Sequence, residues 1–336
     1  MPTPNANDAR TCPVNSHNEW DPLEEVIVGD LTNATVPADH AAAICGLPRA
    51  AAALQPLFAG FRYPGPMLRE ARRELESFVS LLEAQGARVR RPDPRPFHRR
   101  FATPAWSSRG YACASPRDAL LVIGSEIIEA PMSWRSRYFE IFAYRRLLRE
   151  YFAAGAAWTS APKPELRDEL FAPDHPRHGA KDPFVVREGE PIFDAADVVR
   201  CGRDLFAMRC NTANRAGIEW LRRHLGPRGY RVHEIPVRDP HAMHIDHHFI
   251  PLAPGKALVN AQRVALETLP AVLKSWEIRA APPSDRARAG RFPRVNACTR
   301  WLNVNVLSLD EHRVVVAQDE PSMIRALESW GFEPIP

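Results

Sequence analysis

Residues 67–92, MLREARRELESFVSLLEAQGARVRRP, place apolar side chains at helical spacing, meet Gly86, and run into a short strand closed by Pro92. Residues 216–236, AGIEWLRRHLGPRGYRVHEIP, follow the same order with Gly226 and Gly229 as punctuation, and residues 322–336, SMIRALESWGFEPIP, follow it again. Strand-like runs precede each copy: LEEVIVGD (23–30), DLFAMRC (204–210) and HRVVVAQ (312–318). Strand, helix, strand, repeated along a chain, predicts an α/β array. Polar, chemically capable segments follow the first two copies, ASPRDALLVIG (114–124) and VRDPHAMHIDHHFIPL (237–252). The third copy reaches Pro336 before any such segment.

Composition narrows the class. Of 336 residues, 45% are apolar and 25% charged, which suits a folded globular chain. The net charge is only +4, with basic residues spread among 40 acidic ones, so nucleic acid is not an expected partner. Six cysteines show neither C-x-x-C pairing nor zinc spacing, which predicts a reduced compartment. Neither a leader pattern nor a run approaching roughly 18–20 apolar residues is present, so no membrane is expected and the cytoplasm is the default. Dinucleotide and P-loop glycine motifs are missing, and no cofactor is implied.

Four stretches concentrate candidate chemistry: SPRD (115–118), FDAADVVRCGRD (193–204), HAMHIDHHF (241–249) and NAQR (260–263). Acids beside apolar strand formers, as at Asp194 and Asp246, must be paired or hydrogen-bonded, or their pKa rises. The bland reading makes them structural acids satisfied by Arg117, Arg200 and Arg203. The cluster His241, His244, Asp246, His247 and His248 invites a metal, but strand alternation would put His247 opposite His244, Asp246 and His248. The rival use is His244 as a general acid/base beside a carboxylate that fixes its tautomer.

Long, ordered stretches then resemble the arginine amidinotransferases, which include the glycine and inosamine-phosphate types. They are NEWDPLEEVIVG (18–29), VRRPDP (89–94), SPRDALLVIGSEIIEAPMSWRSRYFE (115–140), WTSAPKPELRDELF (158–171), FDAADVVRCGRDLF (193–206), MHID (243–246) and WLNVNVLSLDEHRVVV (301–316). The resemblance implies the pentein fold, an α/β propeller of five modules around a pseudo-fivefold axis. It implies one catalytic domain over 1–336, truncated at the C-terminus relative to the family, with the last module incomplete.

By the same resemblance Asp194 and His244 are two members of a Cys-His-Asp triad. Asp118 and Asp246 hold the donor guanidinium, Arg263 meets a substrate carboxylate, and Met243, Cys298 and Thr299 line the substrate site. The family's nucleophile lies in a C-terminal G-G-G-F-H-C segment beyond the helix matched by SMIRALESWGF. Cys298 is the candidate stand-in, set against the plainer reading of a Ser replacement. The implied reaction moves the amidino group of L-arginine to a small amine by a ping-pong route that releases ornithine. The alternative is an inactive homologue that binds arginine or guanidines, or a non-catalytic partner. Partners expected are L-arginine, an acceptor amine and, left open by the sequence, a second copy in a homodimer.

Overall fold

A computed structural model describes residues 12–336 except Asp39, Gly46, Pro48, 173–182 and 289–300. Four three-stranded sheets share one plan: two antiparallel strands, then a third strand parallel to the second. In one, Leu120–Ile123 pairs antiparallel with Glu126–Glu129, and Ala157–Ser160 joins parallel to the latter. Val198–Cys201, Asp204–Ala207 and Arg231–Glu234 repeat it, as do Phe249–Ala253, Lys256–Val259 and Glu277–Ala280. Leu307–Ser308, Arg313–Val315 and Glu333–Ile335 form the last. A parallel pair needs a crossover, and the helical periods provide it.

The crossovers are helices Arg145–Ala153, Arg215–Leu225 and Pro321–Glu328 in three of these modules. Helix Gly65–Ala84 crosses between the parallel strands Glu25–Ile27 and Arg88–Arg90 of a further module. Gly86 and Gly229 stand at φ +94° and +82°, where a side chain would strain the turn into the next strand. The sequence singles out three of these helix-Gly-strand units, and Arg145–Ala153 with Gly155 is a fourth of the same kind. The module of Phe249–Ala253 crosses on 3-10 turns, Leu266–Thr268 and Ala271–Leu273, with Pro270 between them. A proline inside that run removes the donor a longer α-helix needs.

One expectation needs correcting. The last module is whole, because Glu333–Ile335 lies parallel to Arg313–Val315 and closes its own sheet. The module with two strands is the first. Its strand Glu25–Ile27 borders a cavity of about 790 Å³ whose wall includes Leu23, Leu120, Leu121, Ile127 and Leu307. The final run therefore completes a sheet and does not begin a new one.

The main core joins the three middle modules through Leu121, Ile128, Phe193, Leu205, Phe206 and Phe249, all buried. Fully burying such side chains stabilises by about 1.5–3 kcal/mol each. Gly217 lets its helix sit against the segment that leads to the next acid: a Cβ there would lie 2.2 Å from the Ile192 carbonyl oxygen. Asn214 caps this helix by accepting from Gly217 N at 2.8 Å and also accepts from Ile192 N at 3.1 Å. The cap thus fixes the backbone two residues before Asp194. Among the described residues no helix is long and apolar enough to cross a membrane.

Candidate active site

Each chemical side chain sits in the turn leading into the first strand of a module. Asp118 lies in the short helix Pro116–Ala119 before Leu120–Ile123. Asp194 caps the 3-10 turn Ala195–Asp197 before Val198–Cys201, and its own N–H donates to Asp197 Oδ2 at 2.9 Å. His244, at φ +59°, and Asp246 occupy the turn before Phe249–Ala253. A positive φ is uncommon for a non-glycine residue, and here it turns the imidazole toward the neighbouring modules.

Three modules thereby converge. His244 Nε2 lies 3.2 Å from Asp194 Oδ2, and His244 Nδ1 lies 3.9 Å from Asp118 Oδ1. Burial alone would lower the His244 pKa, but the charges of Asp118, Asp197 and Asp194 and the Asp194 hydrogen bond raise it to about 10. At neutral pH the free protein holds an imidazolium. Asp118 responds in kind: burial pushes its pKa up, yet His244 and the Arg137 guanidinium outweigh burial and hold it below the usual value. Burial and the Asp194 charge push Asp197 up to about 7, against the pull of His244. Asp246 is buried, and its Oδ1 has no hydrogen-bond partner; the same is true of Ser133 Oγ. Buried polar atoms left unpaired cost about 1–3 kcal/mol each, and such atoms in a site await a ligand's donors.

Comparison with known proteins then places the chain. It is 44% identical over 328 residues to the L-arginine:L-lysine amidinotransferase of Pseudomonas savastanoi pv. phaseolicola, covering 97% of this chain and 89% of that protein. The chain belongs to the amidinotransferase family. SxtG, an amidinotransferase from Microseira wollei in the saxitoxin biosynthetic pathway, superposes with a TM-score of 0.91 at 49% identity, over 96% of this chain and 91% of that one. Inosamine-phosphate amidinotransferase StrB1 from Streptomyces griseus gives 0.87 at 37%, over 97% and 91%. No family model matches the chain. The five modules are those of the pentein fold that these amidinotransferases share.

Around this candidate site, several supporting groups carry no clear sequence signal. Arg137 is buried and donates from Nη1 to Asp118 Oδ2 at 2.6 Å, and from Nε to Glu140 Oε2 at 2.7 Å. One cation is shared between two acids. Burial therefore wins at Glu140, whose pKa is raised despite Arg137, while Asp118 keeps its charge. The i,i+3 spacing of Arg137 and Glu140 hints at their pairing, but the reach to Asp118 is tertiary. Lys163 donates to the Pro131 carbonyl at 2.9 Å and lies 4.5 Å from the centre of the Tyr138 ring. It fastens a turn in which Met132 has φ +64° and Ser133 N donates to Asp194 Oδ1 at 3.2 Å.

Other expectations fare differently. Arg117, Arg200 and Arg203 do not satisfy the site acids. Arg117 donates to the Ala195 and Val198 carbonyls, Arg200 pairs with Glu19, and Arg203 donates to the Arg228 carbonyl. The alternation argument at 244–248 fails because Ile245–His247 is a 3-10 turn and not a strand. Arg263 is paired with Asp239, with Nη1 2.8 Å from Oδ1. Met243 is partly buried, and its carbonyl lies 3.3 Å from His247 Nδ1. Cys298 and Thr299 lie outside the described residues.

Proposed function

We propose that the protein transfers the amidino group of L-arginine to a small primary amine through a covalent thiol intermediate. The observation that carries this reading is His244 held between Asp194 and Asp118, with a buried Asp246 oxygen that has no hydrogen-bond partner close in sequence. A guanidinium is planar and permanently charged, so carboxylates bind it through fixed pairs of hydrogen bonds. Asp118 and Asp246 supply those carboxylates. A thiolate attacks the guanidine carbon, and His244 gives its proton to the departing δ-nitrogen of ornithine. Neutral His244 then takes a proton from the acceptor amine as it attacks the amidino-thiol, and the thiolate returns. Asp194 keeps the imidazole oriented through both halves.

The thiolate is not that of Cys113, Cys201 or Cys210. Burial pushes the thiols of Cys113 (to about 12), Cys201 and Cys210 up, away from activation. In three modules the lead-in turn of the first antiparallel strand carries the chemistry, and the first module lacks that strand among the described residues. That topological position, beside the edge of Glu25–Ile27, is where we place the nucleophile. The acceptor is a small amine of the kind named for the relatives, L-lysine or glycine. Once this chain is joined to a C-terminal segment bearing a cysteine, incubation with arginine and either amine should release ornithine. Intact-mass measurement should show one amidino group on that cysteine. Arginine binding without ornithine or adduct in both forms would favour the inactive homologue.

A further inference from the structure

A second cavity, of about 540 Å³, lies apart from the reaction centre, between the loop 95–101 and the 3-10 segment Glu140–Ala143. Asp118, Asp194 and His244 do not line it. Its walls are aromatic. Phe101 and Phe139 meet edge to face with ring centres 5.1 Å apart, and Phe139 stacks on Phe142 at 5.6 Å with the planes 15° apart. Phe142 leaves 44% of its surface exposed, and the Arg145 guanidinium carbon lies 5.2 Å from its ring centre.

Three arginines, Arg95, Arg99 and Arg100, share the lining with one acid, Glu140, whose two oxygens are taken by Arg137. Arg95 donates to the Phe142 carbonyl and Arg100 to Ser107 Oγ. Among the described residues none of the three is paired with a carboxylate at hydrogen-bond range. Arg62 and Arg109 add to the positive field close by, bonded to the His98 ring and carbonyl. Ser136 Oγ, buried and without a hydrogen-bond partner, belongs to the same wall. Most arginines among the described residues answer an acid; these line a cavity instead.

We propose that this cavity binds a small aromatic anion, an aryl phosphate or aryl carboxylate. Its flat ring packs against the Phe101, Phe139 and Phe142 wall, and its charge is met by Arg99, Arg100 and Arg95. The volume lies within the range of about 300–1,000 Å³ usual for small-molecule sites. Ring stacking contributes about 0.5–1.5 kcal/mol beyond burial, and guanidinium groups recognise planar anions through paired donors. Neither half suffices alone: the ring without charge leaves the arginines unanswered, and the charge without a ring leaves Phe142 exposed.

The test is calorimetric titration of the full chain with 2-naphthyl phosphate, inorganic phosphate and 2-naphthol. The expected result is one site for 2-naphthyl phosphate, with each fragment weaker by about tenfold or more. Arg99→Glu combined with Arg100→Glu, both exposed positions, should weaken the ester by about tenfold or more, and Phe142→Ala by several-fold, with urea midpoints unchanged. Inorganic phosphate binding as tightly as the ester would overturn the proposal in favour of a plain basic patch. Ester binding untouched by charge reversal would overturn it by locating the ligand elsewhere. Absence of ester binding, with light scattering showing a dimer that Phe142→Ala dissolves, would assign the face to a second copy.

Discussion

Replacing Asp118 with asparagine tests the electrostatic account of His244 directly. Asparagine keeps the shape and an acceptor for Arg137, so the change removes a charge and little else. At 3.9 Å, two unit charges interact by about 4 kcal/mol if the effective dielectric constant is about 20. That alone would correspond to about 3 pH units. Arg137 lies 2.6 Å from the other Asp118 oxygen and offsets part of the field. The expected drop in the His244 midpoint is therefore about 1–2 pH units from its value of about 10. Histidine-selective NMR reads the midpoint, with His244→Asn identifying the resonance among the 12 histidines. A midpoint within about 0.3 pH units of the parent, or a parent midpoint near 6.5, would refute the reasoning.

Stability should peak on the acid side of neutrality. His244 in the fold titrates near 10, above its ordinary 6.5, so its contribution is full below 6.5 and lost as pH rises toward 10. Asp197, at about 7 against 3.8, loses its contribution between those values, whereas Glu19, lowered to about 2 from 4.5, loses its own as pH falls toward 2. Urea midpoints should be highest near about pH 5, and a steady rise from about pH 5 to 9 would contradict the assignment. Arg137→Met strands two buried carboxylates and should cost about 3–5 kcal/mol, partly recovered by adding Glu140→Gln; a loss under about 1 kcal/mol would show the triad to be slack. Lys163→Met should loosen the turn at Asp194 and lower kcat by about fivefold while leaving the arginine KM little changed. A rise in KM alone would instead put Lys163 against the substrate.

Much of the site was legible because its acids sit where acids are costly. Asp194 follows Ile192 and Phe193, both fully buried, and Asp246 follows Ile245, so each needed a partner or a purpose. The partners were not legible. Arg117 is the arginine nearest Asp118 in sequence, yet Arg137 answers it, because the turn that brings Arg137 inward is set by packing between elements. Arg263 carries no sequence mark of its bond to Asp239. At the level of fold, helical period and glycine stops announced three crossovers. The helix-free crossover of the fourth module stayed silent because a proline-broken run has no clear period. The final strand misled for a related reason: a short strand shows its existence in sequence, but not which neighbour it joins.

The convergence of turns from separate modules also sets when reactivity can arise as the chain folds. Asp194 and His244 are 50 residues apart, and Asp118 lies further back, so no single module holds even the imidazole with both its acids. Sheets and crossovers can form locally, early and independently. The imidazolium field exists only after three of them have docked in register. A half-assembled chain therefore lacks the arrangement of charges that surrounds His244 in the folded protein.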